Sequence, residues 1–127
     1  MVNLNQITVP SLDLVPSVLF YKKLGLRLIV DALPRYARFE CPDGDATFSV
    51  HQVQKLPQGE GVCVYFECQN LDEYVQTLIS EGVAFETLPE DKSWLWREAR
   101  LKDPDQNQLI LFDGDVNRKN PPWRLNP

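Results

Sequence analysis

The stretch Arg97–Phe112, REARLKDPDQNQLILF, reads as a strand, a tight turn and a second strand. Ala99 and Leu101 alternate with Glu98, Arg100 and Lys102, the period-2 pattern of a strand with one face buried. Asp103-Pro104-Asp105-Gln106-Asn107 supplies the turn, because Pro fixes φ while Asp and Asn hydrogen-bond their own backbone. Leu109-Ile110-Leu111-Phe112 resumes as a more deeply buried strand. With Leu109 and Leu111 joining Ala99 and Leu101 on the core face, Gln108, Ile110 and Phe112 face the other way. That second face is where function is expected to be decided, and Ile110 is its most informative residue.

Upstream, Gln6–Val9 reads as a short strand closed by Pro10. Asp13 is placed as a helix N-cap with Pro16 in the first turn, where its missing N–H costs nothing. Leu14, Val18 and Tyr21 or Leu24 recur at helical spacing, Lys22 and Lys23 sit near the end, and Gly25 terminates the helix. Strands follow at Leu26–Asp31, Tyr36–Cys41 and Thr47–Gln52. In the last two, Ala37, Phe39 and Cys41 alternate against Tyr36, Arg38 and Glu40, and Phe48 and Val50 oppose Thr47, Ser49 and His51. Lys55–Gly61, with its Pro and Gly, reads as a linker. The pattern then begins again: a strand over Val62–Glu67, a cap at Asn70, a helix over Leu71–Glu81, a terminator at Gly82 and a strand over Val83–Thr87. A loop through Trp94 leads into the hairpin.

The second half echoes the first at a shift of 57 residues: Gln6 with Cys63, Asp13 with Asn70, Val18 with Val75, Gly25 with Gly82. Coincidence of caps, terminators and core positions indicates an internal repeat. The expected fold is α+β: two tandem βαβββ modules, each helix covering one face of its sheet, with the other faces curved into a shared cleft. One domain over residues 1–127 is expected, with module one at about 4–55, module two at about 60–113 and a tail at 114–127.

A chain of 127 residues can bury a substantial core. Its net charge of -5, with no cluster of Lys and Arg to track phosphates, argues against nucleic acid. The acidity leans toward a neutral or cationic small molecule. Three cysteines, Cys41, Cys63 and Cys68, and no recognisable signal peptide fit free thiols in a cytoplasmic protein. No apolar run approaches the roughly 20 residues needed to span a bilayer, so no membrane partner is expected.

The duplicated modules, the first helix reading Asp13-Leu14-x-x-Ser17-x-x-Phe20-Tyr21 and the late turn Asp103-Pro104-Asp105-x-Asn107 resemble the vicinal oxygen chelate superfamily. That group includes glyoxalase I, extradiol dioxygenases, fosfomycin resistance enzymes and bleomycin resistance proteins. The resemblance covers about residues 4–113; the family's turn normally carries Gly where this chain has Gln106. The tail segment Asn117–Trp123 resembles extensions of some uncharacterised members. Metalloenzymes of the superfamily take ligands from the first and last strands of each module, which carries over to Gln6, Ser49, Cys63 and Ile110. Gln is tolerated at the first of these places in some glyoxalases and a deprotonated Cys63 could serve as a soft ligand. Ser49 is a poor donor and Ile110 offers none. The resemblance also implies a homodimer.

Other candidates lie on the same faces. His51, the one histidine, is either a ligand or general base displaced by two residues or a strand-end histidine at the rim. Glu40, Glu67 and Glu98, with Arg38 and Arg100, either orient a polar ligand or pair across strands. Trp94 and Trp96, with Tyr36, Tyr65 and Phe112, either form an aromatic wall for a planar or cationic ligand or cover a sheet edge. Trp96 is favoured because it shares parity with Glu98. Cys63 reads as a thiol nucleophile or as a small buried hydrophobe.

The first functional reading is a metal-free protein without cofactor that holds a small aromatic or cationic organic molecule, using Gln6, Arg38, Glu40, Ser49, His51, Cys63, Tyr65, Glu67, Trp96, Glu98 and Ile110. The alternative is a glyoxalase-like lyase or isomerase in which Gln6, His51, Cys63 and Glu67 gather a divalent metal. A third is a metal-free enzyme with His51 or a cleft glutamate such as Glu67 as base.

Overall fold

The structure, a computed structural model, describes residues 1–126. The chain divides into two compact units, Met1–Gly61 with the turn Asp103–Asn107, and Val62–Lys102 with residues 108–126. Pro127, the last residue of the expected tail, lies outside the described residues.

In the first unit β1 (Gln6–Ser11), α1 (Leu14–Lys23), β2 (Arg27–Ala32), β3 (Tyr36–Glu40) and β4 (Thr47–Gln52) follow in order, and the four strands form one sheet ordered β1-β4-β3-β2. β1 runs parallel to β4 while the other pairs are antiparallel. Asp13 caps α1 as expected, its Oδ1 accepting from the Val15 N–H at 3.1 Å. Gly25 follows the C-cap at φ 107°, a left-handed conformation that suits glycine. Leu14, Val18 and Tyr21 are buried, and the Tyr21 ring lies 4.6 Å from Phe48 and 5.9 Å from Phe39. Alternation along β3 and β4 therefore sends Ala37, Phe39, Phe48 and Val50 toward the helix. β1 does not stop at Pro10. It is an edge strand, where a missing N–H breaks no ladder, and the Pro10 carbonyl accepts from Asn107 Nδ2 at 3.0 Å.

The second unit repeats the plan with β5 (Cys63–Glu67), α2 (Leu71–Ser80), β6 (Glu90–Asp91), β7 (Arg97–Lys102) and β8 (Gln108–Asp113), ordered β5-β8-β7-β6. β5 and β8 are parallel. Val64, Ala99, Leu101, Leu109 and Leu111 are buried, as are Leu71, Val75 and Leu78 of α2. Both units are thus βαβββ modules built on a mixed four-stranded sheet, within an α+β fold.

Two further local expectations fail. Val83–Thr87 is not a strand; the fourth strand is the two-residue β6, further along. The N–H groups of Glu86 and Thr87 both converge on the Arg100 carbonyl, and the Arg100 N–H turns to the Thr87 hydroxyl at 3.0 Å. That side-chain capture consumes the partners a ladder would need, and Pro89 has no N–H to offer. Asn70 stands at the N-cap of α2 but makes no side-chain cap bond, because its backbone is left-handed (φ 53°, ψ 47°). Asn tolerates that region better than most residues, and Asp72 and Glu73 supply the negative charge the helix start favours.

Candidate functional site

Each sheet has one face turned from its helix, and strand register fixes which side chains share it. In the first unit the rows are Gln6, Thr47 and Glu40; then Thr8, Ser49 and Arg38; then Pro10, His51 and Tyr36. Gln6 Oε1 accepts from Thr47 Oγ1 at 2.8 Å. Glu40 is held by Arg27 at 3.2 Å. Ser49 is fully buried and its Oγ lies 2.8 Å from Tyr36 Oη, which also accepts from Arg38 Nε at 2.8 Å. The Ser49 hydrogen bond pulls the Tyr36 phenol below its usual value and Arg38 adds to this, against a smaller opposing effect of burial. His51 is exposed at the end of β4. Its side chain has no hydrogen-bond partner among the described residues.

In the second unit the rows are Cys63, Gln108 and Lys102; then Tyr65, Ile110 and Arg100; then Glu67, Phe112 and Glu98. Gln108, Ile110 and Phe112 lie opposite in parity to Leu109 and Leu111, as the alternation implies. Trp96 stacks on Phe112 with centroids 4.6 Å apart, and Tyr65 meets Trp96 and Phe112 edge-on at 5.7 and 5.6 Å. The Trp96 indole N–H donates to the Asn117 carbonyl at 3.2 Å, and Gly114 passes so close that a Cβ there would lie 3.1 Å from Trp96 Nε1.

Glu98 is the most unusual residue of this face. It is 1% exposed; Oε2 accepts from the Trp94 indole N–H at 2.6 Å, and Oε1 has no hydrogen-bond partner among the described residues. A buried carboxyl oxygen left unpaired by the protein is costly. Trp94, ranked behind Trp96 by parity, therefore belongs with Glu98, and no strand alternation could have indicated a bond across an irregular loop. Gly114 was missed as well, since one glycine after a strand gives no signal of what it touches.

Glu67 is exposed and lies 3.8 Å from Arg118, which engages it as a charge partner. Burial pushes the Cys63 thiol up, with Arg100 opposing, so the thiolate required of a nucleophile or soft ligand is disfavoured. Burial likewise raises the Tyr65 phenol, with Glu98 adding to the effect.

The residues carried over from the superfamily's metal sites do not fit a divalent ion. Ser49 is neutral and committed to Tyr36, Gln6 Oε1 is committed to Thr47, and Ile110 has no donor atom. Among the described residues no three His, Cys, Asp or Glu side chains gather as a metal centre would require.

The chain matches the model of the Glyoxalase/Bleomycin resistance protein/Dioxygenase superfamily over residues 3–111. No curated protein sequence matches it significantly. Among solved structures, a glyoxalase/bleomycin resistance protein/dioxygenase from Nocardioides superposes with a TM-score of 0.77 at 23% identity, covering 99% of this chain and 91% of that one. A member of the same superfamily from Sphaerobacter thermophilus DSM 20745 gives 0.72 at 22% identity, with 89% and 98% covered. Lactoylglutathione lyase from Agrobacterium tumefaciens gives 0.72 at 16% identity, with 88% and 93% covered. These likenesses concern the fold, which the two βαβββ modules share. With the match spanning most of its length, the chain belongs to the Glyoxalase/Bleomycin resistance protein/Dioxygenase superfamily.

Proposed function

We propose that the protein binds a small aromatic organic molecule bearing an amine or similar cationic donor, and that it does so without a metal. The observation that carries this reading is the unpaired, buried Oε1 of Glu98. A carboxyl group in that position is satisfied by a ligand N–H, and a cationic one compensates its charge as well. Tyr65, Trp96 and Phe112 supply the stacking surface such a ligand needs. The donor set inherited from the metalloenzymes argues against metal-dependent chemistry of their kind.

Calorimetry with tryptamine and benzylamine, against benzyl alcohol as the neutral comparison, tests the reading. Saturable binding of an amine that Glu98→Gln weakens at least tenfold supports it. Equal binding of amine and alcohol, or no effect of Glu98→Gln, overturns it. Elemental mass spectrometry after incubation with Ni, Zn, Mn and Mg tests the metal-free part; near-stoichiometric retained metal overturns that part. The homodimer is proposed on the same family grounds and is read by sedimentation.

A further inference from the structure

We infer that the first unit carries its own docking point for a carboxylate-bearing small molecule, formed by Arg38 with Tyr36 and Ser49 as positioning residues. The inference is independent of Glu98 and stands on different side chains.

Arg38 is held in three ways. Its Nε donates to Tyr36 Oη at 2.8 Å, its guanidinium lies over the Tyr36 ring at 5.4 Å, and Tyr36 Oη is itself fixed by the buried Ser49 at 2.8 Å. These contacts set the plane of the guanidinium and leave Nη1 and Nη2, with their four hydrogens, facing no hydrogen-bond or ion-pair partner among the described residues. Glu40, two residues along β3 on the same face, is engaged by Arg27 instead. An arginine on a surface is ordinarily mobile and loses side-chain entropy when it binds; this one is already ordered. A fixed planar fork of two N–H-bearing nitrogens matches the two oxygens of a carboxylate. Phosphate fits less well, since a dianion calls for further fixed cations and the chain is acidic overall.

The test is a titration of the ¹⁵N-labelled protein with benzoate, following the Arg38 Nε–Hε resonance in the wild type and in Tyr36→Phe and Glu98→Leu, and in every protein the backbone amide resonances of residues 36–40 and 49, from which Kd is read, with benzamide as the uncharged control. A saturable shift with benzoate and none with benzamide is expected. Arg38→Met abolishes it, and Arg38→Lys, which keeps the charge but lacks the fork, raises Kd about tenfold or more. Tyr36→Phe raises Kd and speeds hydrogen exchange at Arg38 Nε, a readout that a purely structural role for Tyr36 would leave unmoved. The same titration on Glu98→Leu gives the wild-type response, so failure of the amine reading and failure of this one are separable. No saturable shift with benzoate, the same shift with benzamide, or an unchanged Kd in Arg38→Met overturns the inference. Tighter binding of phenyl phosphate than of benzoate overturns the assignment to carboxylates.

Discussion

Tyr21 Oη donates to Asp103 Oδ2 at 2.5 Å, joining residues 82 positions apart in a fully buried hydrogen bond. Asp103 also accepts from Asn107 Nδ2 at 2.8 Å and from the N–H groups of Asp105 and Asn107 at 2.8 and 2.9 Å. Asp105 in turn accepts from the Leu12 N–H and from Ser17 Oγ. The turn Asp103–Asn107 is therefore anchored to β1 and α1, and this is why it groups with the first unit although it joins two strands of the second. Replacing Tyr21 by Phe keeps the ring packing but removes one donor. Asp103 Oδ2 retains Asn107, so the expected loss is about 1–2 kcal/mol, measured as a shift in the denaturation midpoint.

The same pair makes stability depend on alkaline pH. Burial, reinforced by the charge of Asp103 and its hydrogen bond, pushes the Tyr21 phenol far above its ordinary value near 10. The folded state thus favours the protonated phenol. Its contribution is fully present below the unfolded value and is lost as pH rises from there toward the raised folded value. Wild-type stability should fall above about pH 10 with a steeper slope than that of Tyr21→Phe. Parallel slopes in urea titrations of the two proteins would show that Tyr21 does not titrate on unfolding.

Glu98 should oppose stability while serving binding. Glu98→Leu removes the unpaired buried oxygen and leaves the Trp94 indole N–H, on a residue 43% exposed, able to reach water. The ligand-free variant is expected to gain about 1–2 kcal/mol and to lose amine binding. A variant less stable than wild type would mean that Glu98 is a structural group already satisfied in solution.

Much of this was legible in the residues alone, for a definite reason. Alternation along Arg97–Phe112 reports which side chains share a face, so the parity of Leu109 and Ile110 follows from the sequence. The repeat at 57 residues carries Asp13, Gly25 and Gly82 to their places because caps and terminators have local causes. What failed was set by single side chains acting at a distance. The Thr87 hydroxyl takes the Arg100 N–H and displaces a strand, and the Trp94 indole finds Glu98 across an irregular loop. Asn70 looked like a side-chain cap and instead serves as a left-handed residue, a choice its composition permits equally. At the site, alternation placed Arg38 and Ser49 on one face but could not say that Tyr36 would bind both.

Gly114 governs the aromatic surface of the second sheet. Its backbone is in the ordinary right-handed region, so alanine brings no backbone strain. The added Cβ would nevertheless lie 3.1–3.2 Å from Trp96 Nε1, Trp96 Cδ1 and Phe112 Cε2. The stacked pair must shift, at a cost of about 1–3 kcal/mol. Gly114→Ala is expected to change the near-UV circular dichroism of the tryptophans and to weaken amine binding. An unaltered spectrum with unaltered affinity would show that the Trp96–Phe112 stack takes no part in recognition.

Gln106 explains why the superfamily's turn usually carries glycine at its place. It adopts φ 68°, left-handed, while its N–H donates to the Asp103 carbonyl at 3.0 Å to close the turn. A side chain in that region costs about 1–2 kcal/mol, partly offset in any glycine variant by the roughly 0.4–1 kcal/mol of extra freedom the unfolded chain gains. Gln106 is exposed and its side chain makes no hydrogen bond among the described residues, so nothing else is lost on truncation. Gln106→Gly should therefore stabilise the protein by about 0.5–1 kcal/mol, whereas Gln106→Val, β-branched and less tolerant of positive φ, should destabilise it. If both variants melt at the wild-type temperature, the turn has room to relax out of the left-handed conformation. The anchoring of Asp103 to Tyr21 would then have to survive a different backbone path.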